Sequence, residues 1–127
     1  MEKKIYYHDT DAGGIVYYAQ YLCYLEEART EFLEQRGLSV QLFRDRGLFF
    51  VVRNCNITYK SPARYDETLN CVAKLKKVTA TQLVFDQTVS DTKDNRLCVE
   101  AEVSLVCLNI EFKPTPIPDD LKDKLLS

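Results

Sequence analysis

The sequence predicts an α+β fold in which a curved antiparallel five-stranded sheet wraps around a central helix. One observation is a stretch from Val16 or Tyr17 to about Arg36, apolar at helical spacing and apolar on nearly every side of its first half. Another is the four long segments that follow, each alternating apolar and polar residues with period two. Antiparallel strands with one wet face show this alternation, whereas buried parallel strands do not. Finally, the chain has 127 residues, 46% apolar and 28% charged, which suits one domain, residues 1–127, with a real core.

The elements follow in order. Lys3 to Tyr7 reads as a short first strand, and His8 to Val16 as a loop. In the helix, Ala19, Leu22, Cys23, Leu25, Ala28, Phe32 and Leu33 supply the buried period, while Tyr17, Tyr18, Tyr21 and Tyr24 fill the other faces. Charges come later, at Glu26, Glu27, Arg29, Glu31, Glu34 and Arg36. The N-terminal half is therefore expected to be enclosed and the C-terminal half wet. Gly37 is a natural stop in the left-handed conformation. Ser39 caps a short helix, Val40 to Arg46, ended by Gly47.

The second strand runs from Phe49 to Tyr59, with Arg53 interrupting its first face, and Ser61-Pro62-Ala63 breaks it. The third alternates through Leu69, Cys71, Ala73 and Leu75. Thr79-Ala80-Thr81 turns the chain into the fourth, through Leu83, Phe85 and Val89. Lys93-Asp94-Asn95 is a turn by composition. The fifth runs from Leu97 to Cys107. Pro114, Pro116 and Pro118 end the sheet, and Asp119 to Leu126 forms a terminal helix. The only large apolar object available to the sheet's dry face is the first helix.

Composition narrows function. The net charge of −2 gives no footprint for nucleic acid. There is no apolar run that spans a bilayer and no apolar leader segment, so the cytoplasm is expected. Cys23, Cys55, Cys71, Cys98 and Cys107 are scattered and include no Cys-x-x-Cys, and they read as small buried hydrophobes in a reducing compartment. His8 is the only histidine, which leaves no basis for a His-rich metal site. No metal and no cofactor is expected.

The loop Asp9-Thr10-Asp11-Ala12-Gly13-Gly14 is the candidate for chemistry, with an ordinary structural loop as the alternative. Carboxylates and glycines also populate ordinary loops, and Asp before a helix commonly caps it. A calcium loop fails on ligands: counting from Asp9, the twelfth position is Gln20, not the bidentate Glu required. The functional reading rests on geometry. Gly13 and Gly14 admit close approach of a ligand to the backbone. The N–H groups of Val16, Tyr17 and Tyr18 are the unpaired donors of the first helical turn, and they favour negative charge at the loop. A carbonyl oxygen seated on them would lie within reach of a carboxylate from the loop.

The run Tyr7-His8-Asp9-Thr10-Asp11-Ala12-Gly13-Gly14-Ile15-Val16-Tyr17-Tyr18-Ala19-x-Tyr21 resembles the signature of the hotdog-fold acyl-CoA thioesterases of the YbgC and 4-hydroxybenzoyl-CoA thioesterase group. Glu26-Glu27-Ala28-Arg29 fits it too, and the block from Asn56 to Glu67 is similar to the group's second motif. The resemblance covers almost the whole chain and implies a hotdog fold. It makes Asp11 the catalytic carboxylate, as nucleophile or as base for water, and gives Asp9 a loop-stabilising role. Tyr18 stands where many members carry His, so its backbone N–H, rather than a basic side chain, is left to serve the reaction. Gly13, Gly14, Ile15, Val16 and Tyr17 would line the substrate. Lys76 and Lys77 fall where the nucleotide of coenzyme A is contacted, and Lys60, Arg64 and Tyr65 lie in a region that lines the site from a neighbouring subunit. Further implications are an acyl-CoA or acyl carrier protein thioester as substrate and a homodimer or homotetramer with sites at the interface. The competing readings are a non-catalytic acyl-binding or scaffolding module and a dehydratase on the same fold. Dehydratase chemistry normally uses a His with an acid, and His8 is wrongly placed for it.

Overall fold

Alternation becomes strands wherever it was read. In the computed structural model, which covers residues 1–127, Phe49–Tyr59 (β2), Thr68–Val78 (β3), Gln82–Asp91 (β4) and Leu97–Leu108 (β5) join Glu2–Lys4 (β1) in one sheet, ordered β1-β3-β4-β5-β2. All four pairings are antiparallel. The interruption at Arg53 is a bulge: Val52 pairs with Leu105 and Asn54 with Ser104, so Arg53 is the extra residue. Lys76 is the extra residue of a second bulge, between Leu75, opposite Phe85, and Lys77, opposite Val84.

β1 is shorter than its sequence suggests. Asp9 Oδ2 accepts the Tyr6 N–H at 2.9 Å, and Tyr7–Asp9 turn as a single 3-10 turn. The central helix α1, Gln20–Glu34, begins three to four residues later than its apolar pattern. Tyr17 to Ala19 form a turn instead, with the Gln20 N–H donating to the Tyr17 carbonyl at 2.8 Å. At the far end the Leu38 N–H reaches back to the Leu33 carbonyl at 2.9 Å, which requires Gly37 at φ 74°. Ser39 caps α2, Val40–Asp45, by accepting the Leu42 N–H at 3.1 Å.

α1 does not cover the sheet alone. Tyr21, Tyr24, Leu25 and Ala28 pack on Leu69, Cys71, Val89, Val99 and Val103. The rest of the concave face, Leu83, Phe85, Leu105 and Cys107, is closed by Leu38 and Phe43 of the α2 segment and by Ile117, Leu121 and Leu125 at the C-terminal helix α3, Asp119–Leu126. The three prolines route α3 back across the sheet.

The enclosure of α1 follows the expected one only in part: Tyr21, Tyr24 and Leu25 of its first half are buried and Glu26 and Glu34 of its second half are exposed, but other residues depart from it. Tyr17, Tyr18, Leu22 and Cys23 are exposed, while Arg29 in the charged half is buried. Cys23 thus departs from the buried-cysteine reading. Cys71, Cys98 and Cys107 obey it, and burial pushes the Cys71 thiol up to about 12. No helix is long and apolar enough to cross a membrane.

Candidate active site

The two aspartates of the loop have different environments. Asp9 is buried. Its Oδ2 takes the Tyr6 N–H, its Oδ1 takes Gln20 Nε2 at 3.0 Å, and His8 Nε2 lies 3.5 Å from Oδ1. The buried Tyr24 hydroxyl makes no hydrogen bond; burial first, then the nearby Asp9 charge, drives its phenol well above the ordinary range. Asp9 thus ties the strand end, the loop and α1 together.

Asp11 is exposed at the tip of a small hairpin. Thr10 bridges Val16, and the Asp11 N–H donates to the Ile15 carbonyl at 2.9 Å. Its Oδ1 accepts the Gly13 N–H at 2.8 Å, and a side chain at Gly13 would place its Cβ 3.3 Å from that oxygen. Gly14 closes the turn at φ 77°. Both glycines therefore have local tasks: one makes room for the carboxylate, the other takes a backbone conformation that costs other residues ~1–2 kcal/mol.

The oxyanion donors are narrowed by the structure. The Val16 N–H is spent on the Ala63 carbonyl (2.8 Å) and the Tyr17 N–H on the Asp9 carbonyl (3.1 Å). The N–H groups of Tyr18 and Ala19 donate to nothing in the chain. Of the three donors expected from the sequence, only that of Tyr18 is free, because the helix starts later than the apolar run. Tyr59 holds it in place: its hydroxyl donates to the Tyr18 carbonyl at 3.2 Å, and the two rings meet edge to face at 6.4 Å. In the sequence Tyr59 stands at the end of a strand and within the second motif, but the contact that gives it this task spans 41 residues.

The second motif packs on the first within one chain. Ile15 bridges Arg64, and the Tyr65 N–H donates to the Gly14 carbonyl at 3.0 Å. Tyr65 is exposed, with its ring 6.1 Å from that of Tyr7. Arg96, at the start of β5, pins this segment: its Nη2 donates to both Glu67 oxygens, at 3.1 and 3.0 Å, and to the Pro62 carbonyl at 3.2 Å. Glu67 Oε1 also accepts the Arg64 N–H.

Three cations fall elsewhere. Lys60 pairs with Glu100 at 3.8 Å on the sheet surface. Lys76 Nζ lies 2.7 Å from Glu102 and 4.0 Å from Asp86, on neighbouring strands. Lys77 shares a row with Val84, Ser104 and Asn54, whereas the loop adjoins Tyr59. Five residues of strand separate those rows, about 17 Å at ~3.3 Å per residue. Within one chain, the sheet keeps Lys76 and Lys77 away from Asp11.

Comparisons with known proteins give the family and the fold. Residues 6–125 match the family model described as the thioesterase-like superfamily. Over 119 residues the chain is 39% identical to the acyl-CoA thioester hydrolase YbgC of Escherichia coli O6:H1, covering 93% of this chain and 88% of that protein. A 1,4-dihydroxy-2-naphthoyl-CoA thioesterase from Synechocystis superposes with a TM-score of 0.92 at 25% identity, over 100% of this chain and 94% of that one. A 4-hydroxybenzoyl CoA thioesterase, solved with 4-hydroxybenzoyl CoA, shares the fold at 23% identity, with a TM-score of 0.90 over 98% of this chain and 96% of that one. The five-stranded sheet curved around α1 is thus the hotdog fold, and the chain belongs to the thioesterase-like superfamily.

Proposed function

We propose that this chain hydrolyses the thioester of a small acyl-CoA, short-chain aliphatic or aromatic, to the free acid and coenzyme A. The observation that carries the reading is an exposed Asp11 carboxylate on the hairpin together with the free N–H groups of Tyr18 and Ala19 in the turn that follows it into α1. The thioester oxygen sits on those donors, which favour the negative charge that develops there. Asp11 either attacks the carbonyl, releasing the thiolate and leaving a mixed anhydride for water to cleave, or takes a proton from the attacking water. The Tyr18 side chain flanks the reaction and its backbone serves it. Gly13, Gly14, Ile15, Val16 and Tyr17 wall the entry, with Arg64 and Tyr65 beside them. Lys60, Lys76 and Lys77 meet the nucleotide only from another copy or along the sheet surface. A thioester on an acyl carrier protein presents the same reacting group.

The working unit we propose is a homodimer or homotetramer built through the free edge of β2, which leaves eleven residues of strand with an unpaired side. A thiol-release screen over acyl-CoAs of graded length, with benzoyl types included, tests the activity. Release from none of them, with ligand binding intact, would leave a binding module instead. Single turnover in H2-18O can establish the anhydride route: label found in the Asp11 carboxylate requires an anhydride cleaved by water at the aspartyl carbon.

A further inference from the structure

A cavity of about 460 Å3 lies between α1, α2 and β2, lined by 13 residues of which nine are hydrophobic. Its volume suits the body of a small organic ligand. Phe43, Leu33, Phe50 and Leu105 form much of its wall, and one buried cation interrupts them. Arg29 is only 8% exposed. Its Nη1 donates to Gln87 Oε1 at 2.9 Å, and Gln87 Nε2 is itself tied to the Leu25 carbonyl at 2.9 Å. No carboxylate pairs with the guanidinium. Its Nε and Nη2 groups have no acceptor, yet neither is sealed from the open space.

Glu26 and Arg44 also border the cavity, both exposed at its rim. Glu26 Oε1 accepts the Thr30 hydroxyl at 3.1 Å. Burial lowers the Arg29 pKa, which the Glu26 charge partly offsets, but a guanidinium stays charged regardless. A buried cation with no carboxylate bonded to it is costly, and a carboxylate delivered to it would be strongly held.

We propose that this cavity receives the acyl body of the substrate and that Arg29 is a specificity-determining residue, selecting acyl groups that carry a carboxylate remote from the thioester. The proposal rests on the thioesterase reading for its reaction, not for its binding. If two copies pair antiparallel through β2 about its middle, the Tyr59 end of one strand lies opposite the Phe49 end of the other. The loop of one copy then faces the cavity of its neighbour. Gln87 is the positioning residue that aims the guanidinium.

The test compares plain and ω-carboxylated acyl-CoAs of six, eight and ten carbons, by kcat/KM for hydrolysis and by calorimetric binding of their non-hydrolysable thioether analogues. At the best-fitting length the wild type is expected to prefer the carboxylated ligand about tenfold or more, and Arg29→Met to lower that ratio by on the order of ten- to a hundredfold. Arg29→Lys, which keeps the charge and serves if Arg29→Met does not fold, is expected to keep part of the preference. No wild-type preference in binding, or an Arg29 variant that weakens both ligands equally, overturns the proposal. Preferential binding without hydrolysis of any ester would uphold Arg29 and sink the catalytic reading.

Discussion

Replacing Asp11 by Asn should remove the reaction and leave the molecule standing. The carboxylate is exposed, and its one recorded bond within the chain is Oδ1 accepting the Gly13 N–H at 2.8 Å. Asn presents an oxygen at the same place, so the hairpin turn keeps its closure. A surface change of this kind costs within about 0.5 kcal/mol, which for a chain of this size moves Tm by roughly 2 °C or less. The chemistry loses far more. An amide is neither an oxygen nucleophile nor a base at neutral pH, and removing a positioned base typically costs ~10²–10⁴ in rate, about 3–5 kcal/mol of barrier. The assay is thiol release at saturating acyl-CoA, with a thermal melt on the same sample. Turnover within a few-fold of wild type in a folded variant would refute the assignment of Asp11. A lost activity matched by a collapsed melt would refute the claim that its role is chemical rather than architectural.

The neighbouring carboxylate should behave in the opposite way. Asp9→Ala strands the Tyr6 N–H and the Gln20 amide, at ~1–2 kcal/mol each, so Tm should fall by about 8–15 °C; an unchanged melt would remove Asp9 from its structural role. Tyr18→Phe should retain turnover within about threefold, because the backbone donor and the bond from Tyr59 survive, and an orders-of-magnitude loss would bring the hydroxyl into the reaction. Asp91 accepts the Lys93 N–H at 2.7 Å, which, with the Asp94 N–H and the Arg96 charge also helping, holds its carboxyl below the ordinary value. That stability is complete above the unfolded pKa, near ~4, and is lost as pH falls through the lower folded one. Asp91→Asn should therefore lower stability at neutral pH and flatten the acid limb of the stability profile, and an unchanged acid limb would remove Asp91 from this role. Sedimentation should find two or four chains per particle, and a monomer active at full rate would refute assembly through β2.

Much of this molecule is legible in the residues because local rules and burial agree over most of it. The strands from Phe49 onward were readable since each carries its own alternation, and even the bulge at Arg53 showed as a break in phase. Gly37 and Gly47 were visible stops because both need positive φ, 74° and 69°. The misreadings share one cause. Tyr17 to Ala19 have helical composition, but Val16 and Tyr17 are drawn into backbone pairing with Ala63 and Asp9, and no local pattern announces a partner 47 residues away. Arg29 looked like a wet charge for the same reason, since Gln87, which receives it, lies on another strand. The specific loop motif pointed to Asp11 and Tyr18, whereas the contribution of Tyr59 exists only once the sheet has formed.

The two margins of the sheet are unlike, and that sets where growth can stop. On one side β1 covers Thr68 to Asn70 of β3, and beyond it the strand presents Lys74, Lys76 and Lys77 with an extra residue kinking the line. Like charges and a kink repel an incoming strand. On the other side β2 offers Phe49 to Val52 in a row before its own bulge. A body with one adhesive margin and one guarded margin cannot add copies indefinitely through its strands. The first antiparallel addition consumes the adhesive margin of both copies and leaves lysines at the two outer ends. If copies pair through β2 as proposed, the ribbon would end at ten strands, and the asymmetry that directs the pairing would also guard a concentrated solution of the folded protein against fibre formation.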